Sequence, residues 1–249
     1  SNVSSSKNLF DSKSIFFVNR LLYYLKTIIM LEVNSIYLYR NRKQVFNNFS
    51  LNLNKSEIIQ LEGENGVGKT SLLNMISGLI SPDKGFIKIC KKNIIELGKC
   101  RKKKFTYIPD KNCLKESFTV NENLKSWLKL SNLETNYNTY QKALKTFSLN
   151  DIQGSLVKNL SQGQKKKVAL TKLLFSESKL WLLDEPLNGI DTKTIMTLKK
   201  VLIEHLKQNG SILFSSHVKS NMKLTRRIIL KKIIKKLNIQ LLNKWENFK

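Results

Sequence analysis

Ile58-Ile59-Gln60-Leu61 runs through Glu62 into Gly63-Glu64-Asn65-Gly66-Val67-Gly68-Lys69-Thr70, and this stretch decides the fold. The short apolar run reads as a buried strand, and Ser71 to Leu79 beyond the turn reads as a helix. The turn matches G-x-x-x-x-G-K-[ST] in the strand, loop and helix setting that a phosphate-binding loop needs. Its glycines let backbone N–H groups turn inward and line a cradle for phosphate oxygens. The helix N-terminus adds its partial positive charge to that cradle. Lys69 is expected at the β- and γ-phosphates, and the Thr70 hydroxyl at Mg²⁺. The loop with Ser71 identifies a nucleotide binder and leaves the kind of nucleotide enzyme open.

Upstream, Leu31-Glu32-Val33, Ser35 to Tyr39 and Phe49 to Leu53 read as strands. Downstream, Ser81-Pro82-Asp83-Lys84-Gly85 is a turn. Residues 114 to 150 carry helical periodicity. Leu180 to Leu183 and Ser211 to Phe214 read as buried strands flanking a helix over 192–208. Strands alternating with helices predict a mostly parallel α/β sheet. Residues 1–29 differ: they are Ser- and Asn-rich at the start, then apolar with interruptions at Asn19, Arg20 and Lys26. A targeting segment, an interfacial amphipathic helix and sequence upstream of a start at Met30 all fit them. Residues 231–249 form a Lys-rich, helix-like tail.

The chain has 249 residues, with 44 Lys+Arg against 18 Asp+Glu, for a net charge of +26. Its hydrophobic content of 41% is enough for a packed core, which excludes a wholly disordered chain. No uninterrupted apolar run reaches about eighteen residues, which excludes a polytopic membrane protein. Cys90, Cys100 and Cys113 show no C-x-x-C spacing, so reduced thiols are the simpler reading. The charge fits nucleic acid or an anionic surface, but 38 of the basic residues are Lys and only 6 are Arg. Specific phosphate contact favours the Arg fork. Abundant Lys, Asn and Ile with scarce Ala, Gly and Pro fit an AT-biased genome, and no specific nucleic acid is expected as partner. Runs such as Lys102–Lys104 and Lys235–Lys236 read as solvated faces, Lys165–Lys167 as the polar part of a helix and not a DNA patch, and His205 as a surface residue.

Further motifs narrow the choice. Leu160-Ser161-Gln162-Gly163-Gln164 precedes a helix, and Leu180-Trp181-Leu182-Leu183-Asp184-Glu185-Pro186 follows. Asn188-Gly189-Ile190-Asp191 comes next, and His217 ends the next apolar strand. In this order the motifs resemble the ATP-binding-cassette ATPases over about residues 30–230. The resemblance implies a RecA-like mixed sheet core, an N-terminal antiparallel β part and an inserted helical subdomain at about 114–160. It implies ATP and Mg²⁺ as ligands, with Thr70 and Asp184 at the metal. Glu185 is then the general base, His217 a γ-phosphate contact that orients the attacking water, and Lys69 a phosphate contact. Leu160 to Gln164 form a signature that binds the ATP of a second ATPase chain, so that two chains sandwich two nucleotides. Membrane-embedded transporter subunits are the implied partners.

Two positions depart from the family pattern. Asp110, in Tyr107-Ile108-Pro109-Asp110, stands where a Gln is usual; its carboxylate still suits a metal or water. Arg40, beside Tyr39, stands where an aromatic usually stacks on adenine. Finer features are similar to the ATP-binding subunits of the haem exporter in cytochrome c maturation. They are Met30 to Val33, Gln60 to Gly66, Ser71-Leu72-Leu73, Leu114-Lys115, Thr119, Glu122-Asn123-Leu124 and above all the Trp just before Asp184-Glu185. That resemblance implies a peripheral subunit on the inner membrane, facing matrix or cytoplasm, and the composition fits a mitochondrially encoded copy. Another transporter's ATPase, a soluble cassette acting on ribosomes or nucleic acid, and a cassette that binds ATP without turnover stay open.

Overall fold

The computed structural model describes residues 29–41, 43–98, 104–111, 113–217 and 223–233. The expectations for residues 1–28, for Cys100 and for most of the tail lie outside the described residues. So does the run Lys102–Lys104, except Lys104.

Two sheets carry the fold. The first has the order β2-β1-β4-β5, from β1 (Ile29–Arg40), β2 (Lys43–Asn54), β4 (Lys84–Ile89) and β5 (Lys92–Asn93), all paired antiparallel. The second has the order β6-β7-β8-β3-β9 and is parallel throughout. Its strands are β3 (Ile58–Glu62), β6 (Phe105–Ile108), β7 (Leu180–Leu183), β8 (Ser211–Ser215) and β9 (Arg226–Ile229). The expected α/β class with an antiparallel part is therefore present. Strands β4, β5, β6 and β9 come as additions to the sequence reading.

Five helices complete the described chain: α1 (Lys69–Ile76), α2 (Val120–Ser131), α3 (Tyr137–Thr146), α4 (Gln162–Thr171) and α5 (Thr192–Lys207). The parallel sheet is covered on both faces, which is why its strands are apolar without alternation. Leu180 and Leu182 of β7, with Leu213 of β8, join the cluster under α1 and the antiparallel sheet. Trp181, Leu183, Ile212 and Phe214 point the other way, into the cluster of α2 to α5. In the register of β7 on β8, Leu183 lies opposite Phe214, and Leu61 of β3 lies opposite Ser215. The C-terminal ends of β3, β7 and β8 thus come level. Loops leaving them meet at one edge, where ligands of open parallel sheets bind.

Two expectations are corrected. His205 is not a surface residue: it is buried, and its ring stacks on Trp181 with centroids 3.6 Å apart and planes 5° apart. An amphipathic α5 has to bury one face, and that face carries Leu198, Leu202 and His205 at helical spacing. Lys165–Lys167 is not simply the polar part of its helix either, because Lys166 is only 3% exposed.

Candidate functional site

The loop after β3 and the first turn of α1 form one wall of an open cavity of about 510 Å³, lined by Asn65, Gly66, Gly68, Lys69, Thr70 and Ser71. Asp110, Glu185, Asn188 and His217 face them, with Arg40 and Val45 at the β1–β2 end. The loop needs its glycines. Gly66 and Gly68 have φ of +79° and +114°, in the region that favours glycine. A Cβ on Gly68 would stand 2.7 Å from the Val45 side chain and 3.1 Å from the Phe46 ring. Val67 is buried beneath the loop and closes its turn by donating its N–H to the Glu64 carbonyl at 3.3 Å. Lys69 Nζ donates to the Gly63 carbonyl at 2.7 Å and to the Glu64 carbonyl at 3.2 Å. The ammonium is thereby held over the mouth of the loop.

Asp184 directly follows β7 and is 1% exposed. One carboxylate oxygen accepts from the Thr70 hydroxyl at 2.8 Å, the other from the Ser215 hydroxyl at 2.6 Å. Ser215 in turn accepts the Glu185 backbone N–H at 2.8 Å. Glu185 has φ of +46°, uncommon for a residue with a side chain, and this conformation is tied down by the Ser215 bond. Its Oε2 lies 3.0 Å from His217 Nδ1, and its Oε1 lies 3.6 Å from Lys69 Nζ. A carboxylate, an imidazole and an ammonium therefore converge beside the glycine loop. This arrangement can accept a proton from a bound water next to a cationic phosphate cradle.

The signature lies outside this cavity. Leu160 is buried, and Ser161 caps α4 in a reciprocal capping box with Gln164. A Cβ on Gly163 would stand 2.8 Å from the Gly189 carbonyl, so the signature packs directly on the loop after Pro186. Lys167 pairs with Asp191 at 2.9 Å and, with the Thr194 bonds, holds that carboxyl below the usual range. Gln162 faces a neighbouring cavity that Asp110 and Asn188 share with the first.

The loop, Asp110, Asp184, Glu185, His217 and Arg40 are thus gathered at one place, while the signature lies apart and Tyr39 does not join them. Tyr39 is half exposed, does not line the cavity, and offers its backbone N–H to Asp83 at 2.6 Å. Arg40 is the neighbour that reaches the rim. Three residues escaped the sequence reading: Ser215, Asn188 as a wall residue, and Lys166. Lys166 Nζ donates to the Asp184 carbonyl at 3.3 Å. Burial pulls its pKa below the usual lysine range, while Asp110, Asp184 and Glu185 oppose that shift.

Comparison with known proteins agrees with this geometry. Residues 46–188 match the family described as ABC transporter. A cytochrome c biogenesis ATP-binding export protein CcmA from Reclinomonas americana is 34% identical over 84% of this chain and 95% of its own length. Another CcmA, from Wolbachia pipientis wMel, is 33% identical over 76% of this chain and 89% of its own. Among solved structures, a putative ABC transporter ATP-binding protein from Pyrococcus furiosus superposes with a TM-score of 0.70. It is 26% identical and covers 80% of this chain and 96% of its own. A dimeric ATP-binding cassette in a post-hydrolysis state with ADP and Pi shares the fold at a TM-score of 0.73 and 22% identity, covering 83% of this chain and 97% of its own. The chain therefore belongs to the ABC transporter family, as an ABC-type ATPase and an ATP-binding subunit that resembles CcmA.

Proposed function

We propose that this chain is the ATP-hydrolysing motor subunit of an export complex in cytochrome c biogenesis. The observation that carries the reading is the convergence of Glu185, His217 and Lys69 beside the loop Gly63–Thr70, in a chain whose similar relatives are named as export ATP-binding proteins. The loop N–H groups and Lys69 hold the phosphates, Lys69 exchanging loop carbonyls for phosphate oxygens. Glu185 accepts the proton of the water that attacks the γ-phosphorus, giving ADP and phosphate. His217, bonded to Glu185 Oε2, fixes the carboxylate's rotamer and faces the γ-phosphate. Thr70 and Asp184 offer a hydroxyl and a carboxylate oxygen 2.8 Å apart, a hard oxygen set that fits Mg²⁺. Bound there, Mg²⁺ neutralises phosphate charge. Asp110 lines the same cavity wall, with its carboxylate turned toward Lys166. Arg40 stacks on the base.

Leu160 to Gln164 serve the nucleotide of a second copy, and the working unit is an ATP-sandwich dimer. Residues 30–230 form the cassette, 114–160 its helical part, and 231–249 a basic tail. No described helix is long and apolar enough to cross a membrane. The relatives' name as export ATP-binding proteins supports membrane-embedded partner subunits, with this chain on the matrix or cytoplasmic face. Hydrolysis there drives export of haem or release of a haem-loaded chaperone. The AT-biased composition supports a mitochondrially encoded copy.

The test is to trap the Glu185→Gln variant with ATP in native membranes and identify what co-purifies. Cytochrome c biogenesis membrane subunits are expected. Another transporter's subunits would remove the export assignment and keep the ATPase. Ribosomes or nucleic acid without a membrane partner would overturn the transporter reading.

A further inference from the structure

Lys166 lies on α4, two residues after the signature, where its neighbours Lys165 and Lys167 stay partly in solvent. Its own side chain is 4% exposed. A buried ammonium needs acceptors, and oxygens from two strand ends supply them. Its Nζ donates to the Asp184 carbonyl after β7 at 3.3 Å and to the Asp110 carbonyl after β6 at 3.5 Å. Asp110 Oδ1 lies 3.7 Å away. Asp110 walls both the nucleotide cavity and a second cavity of about 480 Å³, which Gln162 and Lys166 also line. A single side chain therefore joins the wall of the nucleotide site to the helix that begins with the signature.

The charges explain what this joint does. Asp110, Asp184 and Glu185 all act on the Lys166 ammonium, so it is a cation already installed among the acidic groups that face the metal side of the site. Lys166 cannot leave, being buried. Asp110 can turn, because its side chain is half exposed. Turning toward the nucleotide metal means giving up Lys166. We propose that Lys166 is a positioning residue that holds Asp110 back from the metal–nucleotide site and ties that site to the signature helix. The inference rests on the nucleotide-site reading given above.

The test uses the full chain and a fluorescent ADP analogue, titrated once with Mg²⁺ and once with EDTA. The quantity read is the ratio of the two affinities, which a lysine needed only for folding leaves unchanged. In Lys166→Met the freed Asp110 reaches the metal, and the Mg²⁺ advantage rises about tenfold over wild type, as expected for directly coupled groups. Lys166→Gln keeps a donor for the two carbonyls, lacks the charge, and shifts the ratio in the same direction if the methionine variant fails to fold. Lys166→Arg keeps the wild-type ratio. In an Asp110→Asn background, the Lys166→Met change moves the ratio by less than about twofold. An unchanged ratio in both uncharged variants overturns the inference, and so does an equal rise in the Asp110→Asn background. Wild-type protein that binds the analogue under neither condition fails the site reading itself, a result distinct from an unchanged ratio.

Discussion

Glu185 combines a left-handed backbone with a carboxylate bonded to His217 and placed beside Lys69. Backbone strain of this kind persists only where surroundings over-determine it, and here the Ser215 hydroxyl does so. Glu185→Gln preserves shape and removes the carboxylate proposed as the proton acceptor. Turnover measured by phosphate release is expected to fall by about two orders of magnitude or more, with nucleotide affinity retained. Near-normal turnover would remove Glu185 as the base. The identities of Lys69, Thr70, Asp184, Glu185 and His217 were legible because short spacings tie each to a strand end or a helix start. Ser215 and Lys166 were not legible. Their contacts cross 31 and 18 positions in the chain and depend on the register of β7 on β8 and on how α4 packs.

At the scale of elements, α2 and α4 begin with the same device. Thr119 with Glu122 and Ser161 with Gln164 each close a capping box that satisfies free N–H groups at a helix start. Thr119→Ala and Ser161→Ala should each lower stability by about 0.5–2 kcal/mol in denaturant titrations. Only Ser161→Ala should also lower ATP turnover per folded molecule, because only that cap belongs to the signature. Equal turnover in the two variants would leave Ser161 a cap and nothing more. Helices were the more legible elements: the reading over 192–208 meets α5 at Thr192–Lys207, and that over 71–79 overlaps α1 at Lys69–Ile76. Strands β4, β6 and β9 were not read. Each is short, with lysines, threonine or arginines between apolar residues, and pairing with a distant strand supplies what local pattern lacks.

Across the whole molecule, two apolar clusters hold the parallel sheet between an antiparallel sheet with α1 and the remaining helices. The second cluster contains a titratable group. His205 stacks on Trp181, its ring abuts Gly210, and its Nε2 finds no hydrogen-bond partner among the described residues. Burial lowers its pKa from the ordinary 6.5 to about 4. The unfolded chain therefore binds a proton between these values that the folded chain refuses. Above pH 6.5 the ring is neutral in both states and no proton-linked loss arises, whereas stability is lost as pH falls from 6.5 toward 4. The loss is on the order of 2 kcal/mol for this one group. Urea titrations at neutral pH and at the acid end of that window should show it in wild type and show it reduced in His205→Phe. An equal acid loss in both proteins would mean that His205 titrates normally.

The class of fold, the glycine loop, the Asp184-Glu185 pair and the histidine beyond it could be read from residues alone, because these are local: a glycine turn between strand and helix carries its own geometry. The departures from the family pattern at Arg40 and Asp110 were equally plain in the residues. Which side chains those residues meet depends on how distant parts of the chain pack. That packing places Arg40 and not Tyr39 at the cavity, buries His205 against Trp181, and draws Lys166 inward to two strand ends. The physical reason is burial. A lysine or histidine on a helix has the same local pattern whether it faces water or the core, and the packing of distant strands against that helix makes the choice.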